Sequence, residues 1–283
     1  MFDHFRSRPR RSAATAPTTA IPVSELSIYD PIHFGVDENG VRVEVTLAGR
    51  NLLPGGEPGS GKSSLVNTIV AHASLSADCR LWLFDGKLVE LDQWRAVADV
   101  FVGNDMDLAI ATARELQHEM DIRYAMLRQV GRRKIVRDDG LDAILFVLDE
   151  FALYTATYGS KEQRDEFVRI FRDIVARGRA AGIITVAAIQ RPSADIIPTS
   201  LRDLFSYRVA FRCTTDSSSD IILTQGWAKE GYSARTITPE QLGVGWLLAE
   251  GGIPRRIKAA YLSDDDIRAV VAVARHLRGH RAA

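Results

Sequence analysis

Gly56-Glu57-Pro58-Gly59-Ser60-Gly61-Lys62-Ser63 is the stretch that decides the reading of this chain. It fits G-x-x-x-x-G-K-[ST] at every fixed position, and each fixed residue type has a physical task. Glycines let the backbone curl until successive N–H groups point inward at phosphate oxygens. The helix that follows adds the positive end of its dipole. Lys62 is placed to reach the β- and γ-phosphates, and the Ser63 hydroxyl to ligate Mg²⁺. Gly56, Glu57, Pro58, Gly59, Ser60, Gly61, Lys62, Ser63 and Ser64 are therefore expected to bind ATP with Mg²⁺. The flanks agree, since a short apolar run (Asn51–Leu53) precedes the loop and helical spacing (Ser63–Ala73) follows it. Two details are unusual. Pro54 cannot donate to a strand ladder, so the lead-in strand is short or near its end. Glu57 brings an anion into the loop and must point away from the phosphates or act on a neighbour.

Downstream, Ile144-Leu145-Phe146-Val147-Leu148 is a continuous apolar run that stops at Asp149-Glu150. Such a run reads as a strand buried on both faces. Successive strand side chains point in opposite directions, so the two acids take different tasks. Asp149 is assigned to the Mg²⁺ shell and Glu150 to the attacking water as general base. A third apolar run, Ile183–Ile189, ends at Gln190, which is placed to orient water and sense the γ-phosphate at the same sheet edge. No N-K-x-D sequence is present to read guanine, and the adjacent glutamate favours an ATPase.

The remaining pattern alternates strands and helices. Strands are expected at Val43–Leu47, Arg80–Phe84, Tyr207–Arg212, Trp246–Ala249 and Ile257–Leu262. Helices are expected at Leu108–Gln129, Lys161–Arg179 and Asp264–Leu277, the last capped by Ser263. This order implies an α/β fold with a largely parallel sheet and helices on both faces. Residues 1–22 read as a disordered basic tail carrying Arg6, Arg8, Arg10 and Arg11. Residues 23–274 read as one ATPase domain, and 275–283 as a basic C-terminal tail.

Composition is that of an ordinary globular protein: 283 residues, 46% hydrophobic, with 36 basic and 36 acidic residues balancing to +0. A neutral chain does not coat nucleic acid by bulk charge, so any such contact must be local. Cys79 and Cys213 form no CxxC pair and read as core thiols in a reducing compartment. No run of about 18 apolar residues is present to span a membrane. The N-terminus lacks the apolar segment of a secretory signal. A cytoplasmic location is expected, with the tails as candidates for recruitment to a membrane, a septum or a transfer apparatus.

From Asn51 to Ala274 an ordered series of motifs resembles the motor domain of FtsK/SpoIIIE-type DNA translocases. Asn51-Leu52-Leu53 is similar to that family's H-L-L lead. Phe84-Asp85-Gly86-Lys87-Leu88-Val89-Glu90-Leu91 is similar to I-D-P-K-x-x-E-L, with Gly86 in place of proline. Glu119–Tyr124 resembles E-M-E-R-R-Y. Arg179-Ala180-Ala181-Gly182-Ile183, Ala188-Ile189-Gln190-Arg191-Pro192, Arg208–Phe211 and Ser263–Asp266 match later motifs. The family's D-S-R-T-I-L appears as Ser218–Leu223 without its acid and base in place.

The resemblance implies a RecA-like P-loop fold of the additional-strand class, ATP hydrolysis, a hexameric ring around double-stranded DNA, and translocation along it. It also implies an arginine finger donated to a neighbour's γ-phosphate, with Arg179 as first choice and Arg177 as second. Fewer than sixty residues precede the loop. The chain is thus expected to be a compact motor, similar to FtsK-like transfer proteins of conjugative and integrative elements, serving conjugation or segregation. Two other readings stand beside it: a secretion ATPase moving a protein, and a nucleotide-dependent adaptor without catalysis. Arg123, Arg128, Arg132, Arg133, Lys134 and Arg137 form a basic cluster that could meet DNA phosphates. Arg275, His276, Arg278, His280 and Arg281 read as a solvated tail. Trp94, Trp227 and Trp246 read as packing residues.

Overall fold

A computed structural model describes residues 26–190, 192–193, 196–249 and 252–279. The N-terminal tail and residues 280–283 lie outside these. In chain order the elements are β1 (Ile32–Asp37), β2 (Arg42–Val45), β3 (Leu52–Gly55), α1 (Lys62–Leu75), β4 (Cys79–Phe84), β5 (Val100–Val102), α2 (Met106–Gln129), β6 (Ala143–Leu148), α3 (Lys161–Arg177), β7 (Ile183–Ala187), α4 (Thr199–Arg202), β8 (Tyr207–Phe211), α5 (Asp216–Leu223), β9 (Val244–Leu248), β10 (Arg255–Ala259) and α6 (Asp264–Gly279).

All ten strands form one sheet in the order β2-β1-β10-β9-β8-β3-β7-β6-β4-β5. Pairing is parallel from β8 through β5 and antiparallel from β8 out to β2. The expected parallel sheet is therefore one part of a mixed one. Strand β7 lies between β3, which leads into the phosphate loop, and β6, which carries the acids. That inserted strand is the feature that defines the additional-strand class.

Period-2 alternation fills both faces of the parallel part. Leu81, Leu83, Leu145 and Val147 face α1 and α6, where they pack with Leu65, Ile69, Val70, Ile267 and Ala274. Trp82, Phe84, Phe146 and Leu148 face α2 and α3. On that side the Phe84 and Phe146 rings meet edge to face at 5.1 Å, and Phe167 stacks on Tyr154 at 5.5 Å. Helix α3 buries Phe167, Ile170, Phe171, Ile174 and Val175, a stripe of helical period. Ser160 starts it with a capping box: its Oγ accepts from Gln163 N–H, and its own N–H donates to Gln163 Oε1. Ser263 does the same for α6 with Asp266, as expected for a cap.

Several elements differ from the sequence reading. Helix α3 stops at Arg177, and Arg179 falls in a tight 3₁₀ turn at Gly178–Ala181. Strand β2 ends at Val45 and β10 at Ala259. Helix α6 carries Arg275, His276 and Arg278 within it rather than in a tail. Arg278 donates to Ser74 O, to Cys79 O and to Asp99, which fastens α6 across α1 and β4. Both cysteines are free and buried, and Trp94 is a packing residue whose Nε1 donates to Asn67 Oδ1 at 2.9 Å. No helix among the described residues is long and apolar enough to cross a membrane.

Candidate active site

Strand β3 ends at Gly55, which bridges to Ile189, and the loop then curls over the C-terminal edge of the sheet into α1. Pro54 occupies the next-to-last strand position, and its carbonyl accepts from Ile189 N–H, so its missing donor falls where the ladder is ending. Gly56 and Gly61 need to be glycine. Gly61 has φ +114°, and a Cβ there would sit 2.4 Å from Gly243 Cα. Gly56 has φ +148°, and a Cβ would strike the Phe211–Arg212 backbone. The loop is pinned from outside as well: Glu57 N–H donates to Arg212 O, and Gly243 N–H to Ser60 O. Glu57 turns its carboxylate outward, where Oε1 accepts from Thr214 Oγ1 at 3.4 Å, so the anion is aimed away from the phosphate cradle.

Lys62 is buried and folds back over the loop. Its Nζ donates to Gly56 O at 2.6 Å and to Glu57 O at 2.8 Å. Burial pushes its pKa down to about 8, opposed by Glu150. These carbonyl contacts hold the ammonium inside the curl of the loop, where a phosphate chain would meet it.

Asp149 and Glu150 follow β6, and both are buried. Asp149 Oδ2 has no hydrogen-bond partner, and the nearest cation, Lys87 Nζ, is 3.7 Å away. Burial pushes the Asp149 pKa up to about 7; Lys87 opposes the shift, while Glu90, Asp85 and Glu150 add to it. Glu150 is held differently. Its carboxylate accepts from Gln190 N–H at 3.0 and 3.2 Å and from Ala152 N–H at 3.2 Å. Burial raises its pKa too, against these backbone donors. Beyond it the chain enters a wide π-type turn at Leu153–Thr157, a distortion common beside functional groups.

Divalent-cation chemistry fits this donor set. Asp149 offers a buried carboxylate oxygen without a partner, Ser63 offers a hydroxyl at the start of α1, and no cluster of three or more His, Cys, Asp or Glu among the described residues could cage a metal alone. Mg²⁺ commonly takes one or two protein oxygens and completes its shell with water and substrate phosphates. Asp149 and Ser63 are the residues that would hold it.

A cavity of about 510 Å³ lies over the loop. It is lined by Pro58, Gly59, Gly61, Lys62, Ser63 and Ser64, by Gln190 and Glu90 on one side, and by Leu242, Gly243, Lys258, Ala259 and Tyr261 on the other. Gln190 thus shares a cavity with the phosphate loop and a hydrogen bond with Glu150. Lys87 and Glu90 were given no role in the sequence reading, although the Phe84–Leu91 motif contained both. Asp85 holds that segment in place by accepting from the N–H groups of Lys87, Leu88 and Leu91. Leu88 takes φ +59°, a strained value for a leucine.

The arginines separate clearly. Arg177 is committed within the chain: it pairs with Asp173 and Asp121 and lies over the Tyr124 ring. Arg179 donates from Nε to Gly49 O, at the edge of the sheet where β3 and β7 begin. The phosphate loop is at the opposite edge, roughly 15 Å away along four or five strand residues. Arg179 therefore cannot reach this chain's own nucleotide. It borders a cavity of about 630 Å³ that also takes in Arg50, Arg133 and Lys134. Of the basic cluster, Arg123 is buried, donating to Glu119 Oε1 and Ala181 O, so it is a packing residue and no DNA contact. Arg132 pairs with Asp139 and Arg137 with Asp30, whereas Arg128, Arg133 and Lys134 are exposed.

Known proteins resemble this chain in sequence and in fold. The FtsK/SpoIIIE family model matches residues 29–143. DNA translocase FtsK of Corynebacterium glutamicum is 30% identical over 253 residues, covering 81% of this chain and 26% of that protein. DNA translocase SpoIIIE of Bacillus subtilis is 28% identical over 255 residues, covering 81% of this chain and 30% of that protein. The chain thus spans about a quarter to a third of the length of these curated relatives. Among solved structures, the pCW3 conjugation coupling protein TcpA with ATPγS superposes with a TM-score of 0.75 at 24% identity, covering 88% of this chain and 71% of that one. The cytoplasmic domain of the Thermomonospora curvata type VII secretion ATPase EccC gives 0.66 at 21% identity, covering 88% and 31%. The chain carries a RecA-like P-loop ATPase fold of the FtsK/SpoIIIE type, as its series of motifs implied.

Proposed function

We propose that this chain is an ATP-hydrolysing motor that moves double-stranded DNA and works as a ring oligomer. One observation carries the reading: the Glu150 carboxylate and the phosphate loop meet at Gln190, whose backbone N–H donates to the acid and which lines the nucleotide cavity. That arrangement suits hydrolysis, since the base, the phosphate site and a polar sensor are set by one sheet edge.

In the proposed reaction the loop amides and Lys62 hold the β- and γ-phosphates. Ser63 and Asp149 would hold Mg²⁺, which when bound would neutralise phosphate charge. Glu150 takes a proton from the attacking water as that oxygen approaches the γ-phosphorus. Its raised pKa makes it a better proton acceptor, and the two backbone donors keep the carboxylate aimed. Gln190 orients the water. Arg179, far from its own site, is assigned to the neighbour's γ-phosphate, and this placement supports the ring. A hexamer is the proposed ring size.

DNA is the favoured cargo because the curated relatives matched at 28–30% identity are DNA translocases. Contact is assigned to the DNA backbone, where charge alone suffices. Conjugative transfer or segregation is the proposed setting, with membrane, septum or transfer-apparatus recruitment through the tails. The test is ATP turnover by purified protein with and without duplex DNA. Stimulation by duplex, lost in Lys62→Ala, is expected. Turnover indifferent to duplex, with no DNA binding at low salt, would overturn the DNA reading and leave the protein-secreting one. No turnover at all, with ATP still bound, would leave the non-catalytic adaptor.

A further inference from the structure

The nucleotide cavity has two chemically distinct sides. Gln190 and Glu90 follow β7 and β4, on one side of β3 in the sheet order, and both are polar. Leu242 and Gly243 lead into β9, and the Lys258–Tyr261 segment ends and follows β10, both on the other side. There the wall is apolar except for Lys258 and the Tyr261 hydroxyl. Leu242 is 63% exposed and Tyr261 is 75% exposed, large values for side chains that line a cavity, so both have apolar surface left to cover.

This second wall is tied to the phosphate cradle. Gly243 presses against Gly61 and donates to Ser60 O. Thr68 of α1 donates to Ala260 O as well as to Ser64 O. The wall therefore keeps a fixed position relative to the groups that hold phosphate. Three of its backbone donors are also spent. Besides Gly243, Ala259 N–H donates to Gly243 O, and Ala260 N–H to Phe34 O. Those three amides have no donor left for the edge of a base. What the wall offers is surface: an aromatic ring and an aliphatic side chain.

We propose that Tyr261 and Leu242 form the base-binding wall of the nucleotide site. The Tyr261 ring stacks on the base and Leu242 packs beside it, so the base is held by its face and not read by its edge. The site then takes purine nucleoside triphosphates with little discrimination between adenine and guanine, and pyrimidines less well because they offer less ring to stack. Lys258 supplies a charge near the ribose and phosphates. This inference rests on the nucleotide-binding reading of the loop.

The test is equilibrium binding of the β,γ-imido analogues of ATP, GTP and CTP, and of inorganic tripolyphosphate, each with Mg²⁺, to the full chain. Wild type should bind the two purine analogues within about threefold of each other and the CTP analogue more weakly, stacking being tolerant of base identity. Tyr261→Ala should weaken both purine analogues roughly tenfold, the typical loss of one base–aromatic stack. Tripolyphosphate has no base, so its affinity should not change, which also shows that the variant folds. Tyr261→Phe keeps the ring and should rescue purine binding. Unchanged purine affinity in Tyr261→Ala, an equal loss for tripolyphosphate, or a strong wild-type preference for adenine over guanine would each overturn the wall. A wild type that binds neither analogue nor tripolyphosphate would overturn the nucleotide reading itself, and the wall with it.

Discussion

Replacing Asp149 by asparagine should make the unliganded protein more stable. Asp149 is 5% exposed, its Oδ2 has no hydrogen-bond partner, and burial pushes its pKa up to about 7 from an ordinary 3.8. Between those values the folded chain keeps a proton that the unfolded chain has lost. Stability therefore falls as pH rises from 3.8 toward 7, and the cost is fully present above 7. A displacement of that size, at about 1.36 kcal/mol per pH unit, corresponds to about 4 kcal/mol. The Lys87 ammonium at 3.7 Å is already counted in that pKa; relaxation and water penetration reduce the cost further, so a gain of about 1–3 kcal/mol is the realistic expectation for the uncharged isostere. The assay is urea unfolding in a chelator, run at pH 8 and at pH 4.5. Asp149→Asn should shift the midpoint upward at pH 8, and the gap should shrink toward zero at pH 4.5, where the native acid is itself protonated. With Mg²⁺ and nucleotide, wild type should recover stability through binding, and the variant should gain much less. A variant less stable than wild type at pH 8, or a gap independent of pH, would refute the idea that this carboxylate is held ready for a cation at a cost to the fold.

Other outcomes follow from the same geometry. Glu150→Gln should retain nucleotide binding while turnover falls about 10²–10⁴-fold, the usual worth of a general base; a binding titration beside single-turnover kinetics separates the two. Nucleotide affinity measured from pH 6 to 9.5 should decline as pH passes about 8, where unliganded Lys62 loses its proton. The Mg²⁺-dependent part of that affinity should grow as pH approaches about 7, where Asp149 ionises. Mixing inactive Arg179→Ala with inactive Lys62→Ala subunits should restore part of the ATPase activity if Arg179, on the far sheet edge, serves a neighbour's site as proposed. Failure to complement at any ratio counts against the trans role.

Most of the candidate site's residues were legible because their signals are local. The phosphate loop, the Asp149-Glu150 pair and Gln190 each sit at the end of an apolar run, and a run with its terminal residues can be read within ten positions of sequence. Less was legible wherever pairing spans the chain. Strand β1 pairs with β10, more than two hundred residues away, and its Gly35 packs against the Lys258–Ala259 backbone. Nothing near Ile32–Asp37 announces that partner, so β1 and the antiparallel pairing passed unread, although β2, β9 and β10 were expected as strands. Charge misled at Arg123, where the sequence shows a basic residue on a helix but not the Ala181 carbonyl that buries it. Arg278 is a second case, since its partners lie on three distant segments. Lys87 and Glu90 lay inside a motif that was recognised, yet their nearness to Asp149 and to the nucleotide cavity depends on how Asp85 folds the Asp85–Leu91 segment.

Movement along duplex DNA is the central claim, and displacement of a triplex-forming oligonucleotide tests it most directly. A short third strand is annealed at one end of a linear duplex, and its release is followed after ATP is added with the purified protein. Release that requires ATP hydrolysis, is absent in Glu150→Gln, and shows a lag that grows with the length of duplex ahead of the triplex is the predicted result. ATP hydrolysis stimulated by duplex but with no release at any length would contradict the account, leaving an ATPase that binds DNA without moving on it.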